Sequence, residues 1–132
     1  MTKTKKEILL ETRKYYQTHA RGVKPEGGCY YFINDNMCAI GRCLKDAKDF
    51  EDNIATKCDD QDIETLSTDI EDFKIDDYLK NDYHGHEIEF WKELQHWHDY
   101  MPNWNNLKPG DLVNELNSTG HENFNKLMKK WN

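Results

Sequence analysis

The sequence predicts an α+β domain, mostly helical, with several helices around one small antiparallel β-hairpin. Three observations lead there. Apolar residues recur at helical spacing along most of the chain. One aromatic, β-branched run, Cys29-Tyr-Tyr-Phe-Ile33, reads as a strand. The Asn34-Asp35-Asn36 triplet after it suits a tight turn, because Asn and Asp tolerate positive φ.

The elements follow in order. Residues 3–20 form an amphipathic helix: Ile8, Leu9, Thr12, Tyr15, Tyr16 and Ala20 share one arc, and Glu7, Glu11, Lys14 and Gln17 lie opposite. Leu10 breaks the pattern. Gly22, Pro25, Gly27 and Gly28 mark a loop over 21–28. The hairpin runs from Cys29 through the turn and returns along Met37-Cys-Ala-Ile40; Gly41–Lys45 continues it or begins a helix. Between Asp46 and Asp82 come short helical pieces with narrow stripes: Phe50 and Ile54, then Ile63, Leu66 and Ile70, then Ile75, Tyr78 and Leu79. Residues 86–101 form a longer helix. After the Pro102–Pro109 break, Leu112, Val113 and Leu116 mark one helix, and Phe124, Leu127, Met128 and Trp131 mark the last.

The 132 residues suit a single domain, 1–132, with no internal repeat. Leu, Ile, Val and Phe together number only 25, but seven Tyr, four Trp and four Met add large buriable surface. The core is therefore expected to be modest and aromatic. No apolar run approaches the ~20 residues that cross a bilayer, and the basic start lacks the apolar stretch of a secretory signal. The expected location is the cytosol, with reduced thiols and no membrane partner.

Charge is polarised. The whole chain carries −7, yet residues 1–25 hold seven Lys/Arg against two Glu, while residues 46–99 hold 18 Asp/Glu against five Lys. Direct nucleic-acid binding is disfavoured by that balance. The acidic middle could imitate spaced phosphates and occupy a basic cleft, or serve solubility alone.

Candidate chemistry centres on the helix at 86–101. Its periodicity places Phe90, Trp91, Leu94, Trp97, His98 and Met101 in one arc, and His96 with Glu89, Lys92 and Glu93 outside it. His96 and His98 therefore point apart and do not chelate together. His98 is either a pocket histidine or a hydrogen-bonded core residue. In both cases burial should lower its pKa, and a partner is expected from the hairpin around Cys38 to Arg42. His84-Gly85-His86 beside Asp82 and the four cysteines, Cys29, Cys38, Cys43 and Cys58, lack a specific ligand spacing, so no metal, cofactor or catalytic residue is assigned. Whether those cysteines bind metal stays open, and a catalytic cysteine would need His98 as its base. A buried Cys29–Cys38 pair across the hairpin is the plainer reading. Phosphate-loop and Gly-x-Ser-x-Gly templates are absent.

Cys29-Tyr-Tyr-Phe and Cys38-Ala-Ile-Gly41, with Leu94-Gln95-His96-Trp97-His98-Asp99 downstream, resemble small uncharacterised proteins of bacteriophages and prophages. Those carry a Cys-x-Tyr…Cys-Ala-[Ile/Val]-Gly hairpin and a Leu-Gln-x-x-His-Asp helix. The match covers about a sixth of the chain, and it departs in the turn, where Asn34-Asp35-Asn36 replaces an Asp-Gly. The resemblance implies an origin in a mobile element and assigns no activity.

Two functions are expected from different classes. The first is a non-enzymatic accessory protein that binds and inhibits a host protein through its acidic surface. The second is a binder of a nucleotide-like small molecule in a pocket lined by His98, Trp91, Trp97 and Tyr30, with Arg42 on an anionic group.

Overall fold

A computed structural model describes residues 2–19, 21–22, 30–33, 35–57, 62–100, 103–104 and 116–131. Five helices organise them: α1 (Lys5–Tyr15), α2 (Ala47–Asn53), α3 (Ile63–Asp69), α4 (Ile88–Asp99) and α5 (Ser118–Lys130), with single 3₁₀ turns at Gly41–Cys43, Ala55–Lys57, Ile75–Asp77 and Asn81–Tyr83.

Most of the helices begin where a side chain supplies the missing acceptor. Thr4 Oγ1 accepts from the Glu7 N–H (3.1 Å) and Glu7 Oε1 from the Thr4 N–H (3.0 Å), a reciprocal cap that starts α1. Asp46, Asp62 and Asn117 cap α2, α3 and α5 through one side-chain oxygen each. So some of the acidic excess serves helix starts. α1 stops at Tyr15, short of the expected residue 20. Beyond it Gln17 and Thr18 make i→i−3 bonds, and the Thr18 hydroxyl and His19 ring both turn back to the Tyr15 carbonyl. These side chains compete with a continuing helix.

α4 is the central helix. Lys92 and Gln95 reach α3, through Glu64 (2.8 Å) and the Ile63 N–H (3.0 Å). Glu93, Trp97 and Phe90 reach α5 and the residue after it, through Lys130, Gly120 and Trp131. At ~100° per residue these two sets lie on opposite sides of α4. α3 and α5 therefore flank it as separate layers. α1 runs antiparallel beside α5, with Lys5 over the Trp131 ring at one end and Arg13 over Phe124 at the other. A continuous cluster of buried apolar residues joins the elements, from Ile8 and Leu9 through Phe50, Ile63 and Leu66 to Trp91, Leu94 and Phe124.

The expected α+β class is corrected. Among the described residues there is no strand, sheet or hairpin, only isolated bridges. Ile33 and Asn36 exchange both backbone bonds around a turn in which Asp35 has φ 66°, but the pairing does not propagate. The donors that a ladder would use go elsewhere. The Tyr30 N–H reaches Gly22 O (3.0 Å), the Tyr31 N–H reaches the buried Glu51 carboxylate (2.8 Å), and Gly22 donates to Met37 O. Past Cys38 the chain coils into the Gly41–Cys43 turn. A Cβ on Gly41 would sit 2.0 Å from Tyr31 O, so this close crossing requires glycine. Cys29, Cys58, Leu112, Val113, Met101 and Ala20 lie outside the described residues, and with them the Cys29–Cys38 pairing and the helix marked by Leu112 and Val113.

Candidate functional site

His98 occupies the last turn of α4 and is fully buried, while His96 is exposed, on the sides that the periodicity assigns them. Its Nδ1 lies 2.6 Å from Asp99 Oδ1. A carboxylate only accepts, so Nδ1 carries the proton and Nε2 is left as an acceptor. Nε2 is buried and has no partner among the described residues. The ring of Tyr16, the residue that caps the end of α1, tilts against the imidazole, centroids 4.7 Å apart. Burial lowers the His98 pKa from its ordinary value, opposed by Asp99 and reinforced by Arg21 and Arg42. The ring's polar partner is thus its own neighbour, Asp99. What another element supplies is the Tyr16 ring.

The carbonyl of His98 closes the end of α4. It accepts from Arg21 Nη1 (2.9 Å) and from Trp104 Nε1 (3.1 Å), and the Arg21 guanidinium lies over the Trp104 ring. These donors satisfy a carbonyl that the helix itself leaves open.

The other residues expected to line the pocket serve different places. Trp97 packs between Trp104 and Phe124 and donates its Nε1–H to Gly120 O (3.2 Å). Trp91 is buried beside Phe90 and His86, with its Nε1 unpartnered among the described residues. Tyr30 is half-buried and its carbonyl accepts from the Cys38 N–H. Arg42 packs against α1. Its Nη1 meets Glu11 Oε1 (2.5 Å) and its Nη2 meets Thr12 Oγ1 (2.5 Å). The described contacts bring His98 and Trp97 to the same Trp104 side chain, while Trp91 packs beside Phe90 and His86 and Arg42 beside Glu11 and Thr12.

The Arg42 cluster joins charged and polar side chains from three parts of the chain. Glu11 also accepts from Lys3 Nζ and from the Tyr83 hydroxyl. Burial pushes the Glu11 carboxyl up, but the bonds from Lys3, Tyr83 and Arg42 outweigh it and hold it at about 2. Burial likewise works against the Arg42 charge, and Cys43, Glu11 and Tyr83 beside it raise its pKa instead. The Cys43 thiol is pushed up to about 12, chiefly by burial, and stays protonated at neutral pH. A thiol in that state is a poor nucleophile.

Glu11, Lys3 and Tyr83 escape a sequence reading because they are polar and far apart along the chain. Gln95 escapes it too: a polar residue at the edge of the apolar arc, between Trp91 and Ile88, it is buried and holds the first N–H of α3. Its place between those two apolar residues was the available signal.

His84 and His86 each donate from Nε2 to a different carbonyl, Leu79 O (2.9 Å) and Lys3 O (2.8 Å), so they diverge. Among the described residues no three His, Cys, Asp or Glu side chains gather where a metal ion could be held. No described helix is long and apolar enough to cross a membrane.

The surface repeats the charge split of the sequence. Asp46, Asp49, Asp52, Glu64, Asp69, Glu71, Asp72 and Asp77 are exposed on α2, α3 and the turns that follow them. Some are occupied, as in Lys48–Asp52 and Lys92–Glu64. Asp69, Glu71 and Asp72, at the end of α3, enter no ion pair among the described residues. Comparison with protein-family models, with curated proteins and with solved structures finds nothing that this chain matches.

Proposed function

We propose that this chain is a non-enzymatic binding protein that lays its acidic α2–α3 surface on a basic cleft of a protein partner. The observation that carries the reading is the row Asp69, Glu71 and Asp72, exposed and without ion pairs among the described residues. Charges left open in this way steer association and favour a cationic surface over others. The resemblance to small phage and prophage proteins makes that partner a host factor in the bacterial cytosol, and occupation of its cleft would inhibit it. The test is capture of partners from a bacterial lysate at low and high salt. Retention of a protein at low salt that is lost at high salt, and lost in an Asp69→Asn/Glu71→Gln/Asp72→Asn variant, is the expected result. A column that retains nothing at low salt would overturn the proposal.

One observation favours a second reading, a small-molecule site at His98. Its buried Nε2 is an acceptor without a partner among the described residues, which suits a ligand that donates a hydrogen bond. Arg42 is engaged by Glu11, so the anion-binding part of that reading has less support. A melting-temperature screen against nucleotides separates the two readings, because a ligand bound to the native state raises the transition.

A further inference from the structure

One group of the described basic residues lies on α1 and α5, while Lys48 and Lys92 are paired within the acidic layer. Along α1, Lys6, Leu10 and Lys14 follow one another at i, i+4 and i+8, so they form a line on its outer surface. All three are exposed, and Leu10, 46% exposed, is one of two large apolar side chains left open among the described residues. α5, antiparallel beside it, adds exposed Lys126 and Lys129. Lys3, Lys5 and Lys130 are taken by Glu11, Glu87 and Glu93, and Lys126 sits 3.7 Å from Glu122. Lys6, Lys14 and Lys129 enter no ion pair among the described residues.

We infer that the α1–α5 face is a docking surface for a second copy of this chain, whose acidic α3 face it covers. The charge complementarity is built into one molecule: a row of open ammonium groups on one side of α4, and the open carboxylates of Asp69, Glu71 and Asp72 on the other. Two different faces meet in such a contact, so it is heterologous and leaves one face of each kind free at the ends. The face is small. α1 has 11 residues and α5 has 13, about 16–20 Å of helix at 1.5 Å per residue. That places the contact at the low end of interface sizes, where association is weak and reversible. The inference needs only the two faces and does not depend on the partner proposed above.

Sedimentation of the full chain tests it. At about 0.1 mM protein and low salt the chain is expected to sediment as more than one copy, and to return to the 15.8 kDa monomer at ~0.5 M salt. A Lys6→Ser/Lys14→Ser/Lys129→Ser variant lacks one face, and an Asp69→Asn/Glu71→Gln/Asp72→Asn variant lacks the other. Each alone should remain a monomer, and mixing them should give a 1:1 complex that stops at two copies. A wild-type chain that is monomeric at every salt concentration overturns the inference. So does a lysine variant that still self-associates, or a mixture that forms no complex. Binding of a DNA duplex by the wild type without self-association also overturns it, and would assign the basic face to phosphates.

Discussion

Replacing Glu11 by Gln removes the charge that compensates Arg42 while keeping the shape of the side chain. The native carboxyl is held at about 2, against an ordinary value of 4.5. At about 1.4 kcal/mol per pKa unit that difference corresponds to roughly 3.4 kcal/mol. The side chain is about one-third exposed (32%), so water screens part of the interaction. About 2 kcal/mol is the expected share. A lowered native pKa means that the stabilisation is complete above pH 4.5 and is lost as pH falls through about 2. Urea unfolding should therefore show Glu11→Gln less stable by ~2 kcal/mol at pH 7, with the gap closing as pH falls from about 4.5 toward 2. The cost has a second source at neutral pH, because Arg42, 5% exposed, would be left as a buried cation with weaker partners. A variant within about 0.5 kcal/mol of wild type at pH 7 would refute the reasoning. A loss that is the same at pH 7 and pH 3 would refute it as well.

His98 should make stability fall on acidification. Its native pKa is lowered, so the native state binds fewer protons than the unfolded chain, and stability drops as pH falls below the ordinary histidine range; His98→Gln should flatten that limb of a pH-stability curve. His98→Ala should cost on the order of 1–3 kcal/mol and His96→Ala no more than about 0.5 kcal/mol, and equal losses in urea unfolding would refute the phase of α4. Gly41→Ala should lower the melting temperature by an amount equivalent to roughly 2–3 kcal/mol, since the new Cβ meets the Tyr31 backbone and not a side chain that could turn aside. Cys43 should stay unmodified by a thiol reagent in the native protein and react once it is unfolded; peptide mapping that finds rapid native labelling would refute its protonated, enclosed state.

The long helices were legible because periodicity reports burial directly. The arcs through Ile8, Leu9 and Thr12, through Phe90, Leu94 and Trp97, and through Phe124 and Leu127 are the buried faces of α1, α4 and α5. The hairpin misled because β-propensity measures how well a side chain packs, not whether its backbone finds a ladder. Tyr31 is buried edge-on against Phe50, centroids 4.8 Å apart, and its amide is held by Glu51. The same aromatic signal thus served a helical core. His98 could be separated from His96 by phase alone. The Glu11–Arg42–Tyr83 cluster could not, because it joins residues 31 and 72 positions apart through polar atoms that no periodicity marks.

The Gln95 bond to α3 has a kinetic consequence. A helix of seven residues, as α3 is, cannot persist by itself in water. Its first amide is held from α4 by one buried side chain, and Lys92 adds a second tie through Glu64. The amides of α3 should then exchange with solvent through partial openings that leave α4 and α5 closed, as a separate cooperative unit of lower stability. The acidic layer is the part of the molecule whose order is conditional. Gln95→Leu should speed that exchange selectively, without moving the rates of α5.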